Sequence, residues 1–221
     1  MVDELDADVR LGEGACFWLR KYAAPVARGL ELGIWARPKV GERVNGDDGA
    51  FLRKHGAVLM LVADGLGHGS EARASSASVA AIVRKETERP LDALLLSADT
   101  ALRGQRGAAV TLTRVDESAA VVECAAVGNV SCALETRGGS SKFGAESWTV
   151  GVHSALRRKV RLQRKSLPPK SAVLLYSDGV SSRASLADHG GMLLEHPLVA
   201  AHFVASTYGR TNDDVLVLVA R

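Results

Sequence analysis

One run of the chain, AVLMLVA at 57–63, is apolar at every position. A strand with one wet face alternates, so an unbroken run predicts a strand covered on both faces. Residues 50–53 precede it across Lys54-His55-Gly56, and the three pieces together predict a hairpin. An earlier strand is predicted at 30–35. Residues 70–85 are rich in Ala and Ser and hold no Gly or Pro. They predict a helix whose small side chains let it lie close to a neighbour. Leu91, Leu94, Leu95, Ala98 and Leu102 then recur at helical spacing between Pro90 and Gly104, predicting a second helix. Strands are predicted at 108–115, 119–127, 130–135, 159–162 and 173–176. The first three are joined by Asp116-Glu117-Ser118 and Gly128-Asn129, so an antiparallel meander is expected. A helix at 197–208, stopped by Gly209, and a strand at 215–219 complete the pattern. The pieces at 9–11 and 16–19 fit either strand or helix, and residues 1–29 receive no role. The order predicts layered α+β, not a regular βαβ alternation.

Composition narrows the class. Hydrophobic residues are 47% and charged residues 24% of the 221, which excludes a disordered chain. One domain over 1–221 is expected, since no Pro/Ser/Gly-rich linker divides the sequence. The longest apolar run falls well short of the roughly 20 residues that span a bilayer, so no membrane helix is expected. Cys16, Cys124 and Cys132 form no CxxC pair, which argues against a disulfide framework or a zinc cage. Cys124 and Cys132 read as small buried hydrophobes. The acidic start lacks a secretory pattern, and a cytoplasmic location is expected. Aromatics are only 5%, too few for a nucleic-acid stacking platform. Net charge is +3, yet residues 157–165 carry six basic side chains and no acid. That segment reads as a charge-blunted edge strand or as a dock for an acidic or phosphorylated protein.

Acids mark the candidate chemistry. Asn45-Gly46-Asp47-Asp48-Gly49, Asp64-Gly65-Leu66-Gly67-His68-Gly69, Ser177-Asp178-Gly179 and Asn212-Asp213-Asp214 all flank predicted strands. Antiparallel neighbours bring such ends to one edge of a sheet. Clustered carboxylates repel one another and call for hard divalent cations. Each Asp-Gly alone is an ordinary turn signal. Asp64 is different, because a Gly-rich loop and then a helix follow it. Phosphate binding by Gly65, Gly67 and Gly69 at a helix start is a rival reading. The spacing is GxGxG, however, and no GK[ST] follows.

Together VADGLGHGSEARASSASV, RGAAVTLTRVD, AVGNVS, YSDGV and NDDVLVLV resemble, in order, the motifs of PPM-type serine/threonine protein phosphatases. Within them the chain is similar to the bacterial SpoIIE/RsbX-like branch. The resemblance implies a four-layer α-β-β-α sandwich of two antiparallel sheets flanked by helices. It also implies two Mn²⁺ or Mg²⁺ ions at one end, activating a water for in-line attack on phosphorus. By motif, Asp64 bridges both ions and Gly65 offers its carbonyl. Asp178 and Asp213 hold one ion, and Asp47 completes the site, with Asp48 as its competitor. His68 is a candidate to protonate the leaving alkoxide or else only shapes its loop. Arg43 is a candidate phosphate clamp or else a solvated loop arginine. Asn129 reads as a type I′ turn residue. The family's DDxT pattern is broken by Leu216, expected to be a packing change. The implied substrate is a phosphorylated protein, such as a STAS-domain stressosome protein or an anti-sigma antagonist. Two readings compete: a phosphatase-like scaffold without catalysis, and a nucleotide-binding switch using the 65–69 loop.

Overall fold

The computed structural model describes residues 4–10, 14–21, 29–152, 160–189 and 191–221. Two strands, β1 (Glu4–Arg10) and β2 (Gly14–Arg20), pair with each other, so residues 9–10 and 16–19 are strand, while residue 11 lies outside the described residues. β3 (Leu32–Arg37), β4 (Asp47–Lys54) and β5 (Ala57–Gly65) follow. The hairpin between β4 and β5 turns at His55 and Gly56, both at positive φ.

Parity inside β5 defines the layers. Val58, Met60 and Val62 enter one core, while Leu59, Leu61 and Ala63 enter another. The second of these cores is closed by two helices, α1 (Gly69–Lys85) and α2 (Leu91–Ala101), through Val79, Val83, Leu91, Leu94 and Leu95. β6 (Ala108–Asp116) and β7 (Val121–Val127) extend the sheet, whose order is β10-β7-β6-β5-β4 with β10 at Gln163–Ser166.

The other sheet has the order β3-β12-β11-β8-β9. It contains β8 (Ser131–Thr136), β9 (Gly139–Lys142), β11 (Ala172–Tyr176) and β12 (Val215–Ala220). Alternation again assigns faces. Val173, Leu175, Leu216 and Leu218 meet the first sheet, whereas Leu174, Tyr176, Val217 and Val219 meet α3 (Pro197–Tyr208). The result is the expected α-β-β-α layering, with both sheets antiparallel.

Three expectations need correction. The meander breaks at Gly128-Asn129: β6 pairs with β7, but β8 joins the opposite sheet. Gly128 takes positive φ there and Asn129 does not, so Asn129 is not a type I′ residue with positive φ. The strand expected at 159–162 begins instead at Gln163, and residues 157–159 lie outside the described residues. β9, with the polar sequence GSSK, was not foreseen. Leu216 is buried between the sheets and would touch a Cβ placed on Gly49, in line with a packing change at that position.

Candidate metal centre

Asp47 and Asp64 are direct cross-strand partners in β4 and β5. Both therefore lie within strands, not in the flanking turns that the sequence suggested. Asp47 shares the parity of Phe51, and Asp64 that of Met60 and Val62, so both belong to the face turned toward the second sheet. Asp48 has the opposite parity. It lies on the helix side, where its carboxylate meets Arg73 of α1 at 3.3 Å and accepts from the Gly49 N–H. Of the two, Asp47 is the one that shares a sheet face with Asp64.

The second sheet supplies Asp178 just after β11 and Asp213 just before β12. Gly179 explains how these turns come together. A Cβ there would lie 1.8 Å from the Asp214 carbonyl oxygen, so the two turns approach as only glycine permits. Gly65 has the same role against α1, since its Cβ would lie 2.0 Å from the Ala72 carbonyl oxygen. The four acids converge from two sheets, not along one sheet edge.

Electrostatics record that convergence. Burial first, then Asp47 and Asp178, push the Asp64 carboxyl up to about 9. Burial, countered in part by a Ser177 hydroxyl and reinforced by Asp214, Asp178 and Asp213, pushes Asp47 up to about 8. Asp178 is also raised, by burial and by Asp213. Like charges held this close keep their protons unless a cation replaces them.

Donor chemistry fits a hard divalent ion. Asp47 Oδ2 is buried and has no hydrogen-bond partner. Such an orphan oxygen is costly without a donor or a cation. Among the described residues, no three His, Cys, Asp or Glu side chains stand in finished ligand geometry. The cluster is an open set of oxygens, consistent with ions that also take carbonyls and waters.

Supporting residues surround the acids. Asn129 Nδ2 donates to Asp178 Oδ2 from the loop that crosses between sheets. Sequence reading missed this contact, because turn chemistry explained Asn129 well enough. Asp214 is consumed structurally: Oδ1 accepts from the Lys39 N–H at 2.7 Å and Oδ2 from the Gly46 N–H at 2.9 Å. That separates it from Asp213. His68 is the half-exposed N-cap of α1, and its Nδ1 lies 2.7 Å from Glu42. Arg106 binds Glu71 in the first turn of α1, beside Gly67, where the carboxylate disfavours a bound phosphate. Arg43 is exposed in loop 38–46. The basic segment is partly committed: Arg164 pairs with Glu123, while Lys165 donates to Ser141 and Lys142 of β9 and lies over the Phe143 ring.

Comparison with known proteins agrees with this architecture. The sequence profile of Stage II sporulation protein E (SpoIIE) matches residues 54–221. Phosphoserine phosphatase RsbX of Bacillus subtilis (strain 168) is 24% identical over 148 residues, covering 67% of this chain and 73% of RsbX. A solved chain from the bacterial stressosome, described as a modular system adapted to control secondary messenger signalling, is 29% identical. It superposes with a TM-score of 0.79 over 88% of this chain and 100% of that one. RsbX in complex with magnesium gives a TM-score of 0.76 at 19% identity, covering 89% of this chain and 96% of that one, a likeness of fold.

Proposed function

The chain belongs to the SpoIIE family of PPM-type phosphatases, and from that premise we propose that it hydrolyses phosphoserine or phosphothreonine in proteins at the Asp47, Asp64, Asp178 and Asp213 cluster. The observation that carries the reading is the approach of these four carboxyls from two sheets, with Asp47 and Asp64 lifted to about 8 and about 9. Asp64, whose carboxyl is raised by both Asp47 and Asp178, would be the ligand common to the ions, together with the Gly65 carbonyl. Asp178 and Asp213 would hold the other ion, with Asp178 oriented by the Asn129 amide. When bound, two Mn²⁺ or Mg²⁺ ions supply Lewis-acid chemistry, lowering the pKa of water and neutralising phosphoryl charge.

The chain's own groups do the rest. With Nδ1 engaged by Glu42, His68 presents Nε2 as the nitrogen that returns a proton to the departing serine alkoxide. Arg43 supplies a guanidinium for the phosphate from an exposed position in the loop before Asp47. The stressosome relative and RsbX support a phosphorylated partner-switching protein, such as a STAS-domain component or an anti-sigma antagonist, as the substrate. Incubation with phosphorylated STAS protein should release inorganic phosphate with Mn²⁺ and not with EDTA. Retention of the phosphate under both conditions would remove that substrate class.

A further inference from the structure

We propose that loop 39–46 recognises the protein segment around the phosphorylated residue and selects apolar side chains beside it. The inference rests on the phosphatase reading and assigns its substrate preference. The loop is pinned at its neck. Lys39 and Gly46, its two ends, donate their N–H groups to the two oxygens of the single buried carboxylate of Asp214. A loop with its ends held together keeps a fixed frame and an exposed tip, and such loops are frequently functional.

Contacts on both flanks set its position. The Val40 N–H donates to the Thr211 carbonyl, next to Asn212-Asp213. Glu42 meets His68, and a Cβ on Gly46 would lie 3.0 Å from Ala72 of α1. The loop therefore spans from the Asp213 turn to the start of α1, and its last residue leads directly into Asp47. Its tip points two large apolar side chains into water, Val40 at 68% and Val44 at 39% exposure, with Arg43 exposed between them. The valines offer apolar contact area and the guanidinium offers charge to a phosphate. Glu42, in the same loop, disfavours acidic flanks. The occupant that satisfies all three is a phosphoserine with apolar neighbours.

Two phosphoserine peptides, identical except for Leu or Gly on both sides of the phosphoserine, test this with the full chain and Mn²⁺. The wild type should prefer the Leu peptide in kcat/KM by roughly tenfold. In Val40→Ser/Val44→Ser the ratio should fall to near one. A wild-type ratio near one, or a preference that survives the double substitution, overturns the proposal. The ratio cancels differences in metal loading. p-Nitrophenyl phosphate reports the centre separately. If it too is not hydrolysed, the phosphatase reading fails, and anisotropy with fluorescein-labelled versions of the peptides decides the loop. Tighter binding of the Leu peptide that needs both valines supports it, and equal binding overturns it.

Discussion

Single acids differ in value according to the face they occupy. Asp47 points between the sheets with an unpartnered oxygen, whereas Asp48, one residue on, pairs with Arg73. Asp47→Asn should abolish high-affinity Mn²⁺ binding by titration calorimetry. Asp48→Asn should leave it intact and cost at most about 1 kcal/mol in stability, the usual worth of a partly exposed ion pair. Asn129→Ala removes the donor that orients Asp178 and should lower metal affinity or activity by roughly 10–100-fold. An Asn129→Ala variant indistinguishable from wild type would make the contact incidental. Period-2 alternation already carried the Asp47 and Asp48 distinction in the sequence, once the pairing with β5 is known. Asn129 was not legible, because nothing local reports what lies across the gap between sheets.

Elements were legible wherever burial was two-sided. β5, β11 and β12 are apolar on nearly every residue because each face meets its own core. β9 and β10, GSSK and QRKS, carry no such signal and are strands through pairing with β8 and β7. The turn at Gly128-Asn129 misled because a short connection between strands reads the same whether the chain stays in its sheet or crosses. The close approach of the turns after β11 and before β12 gives a prediction at this scale. Gly179→Ala places a Cβ against the Asp214 carbonyl and should destabilise the protein by about 1–3 kcal/mol. Metal affinity should fall with it, since Asp178 and Asp213 are pushed apart. Urea denaturation with and without Mn²⁺ measures both.

Taken whole, the molecule is two sheets whose ends must hold negative charge together. Without metal, Asp47 and Asp64 titrate near 8 and 9 in the fold, against roughly 4 for an unfolded chain. Their folded values are raised, so the stability they contribute is present in full below about pH 4 and is lost as pH climbs through 8 to 9. In EDTA the melting temperature should therefore fall from pH 6 to pH 9, and Asp64→Asn should flatten that slope. Added Mn²⁺ should raise the melting temperature more at pH 8 than at pH 6, because binding displaces protons. A metal-free slope unchanged by Asp64→Asn would contradict the assignment. The basic segment, partly committed to β7 and β9, contributes to joining the sheets. The most direct test of the whole account is the rate of p-nitrophenyl phosphate hydrolysis with Mn²⁺, with EDTA, and in Asp64→Asn. The account predicts turnover in the wild type with Mn²⁺ that EDTA abolishes and Asp64→Asn lowers by at least about a hundredfold. Metal-independent turnover, or full activity in Asp64→Asn, would contradict it.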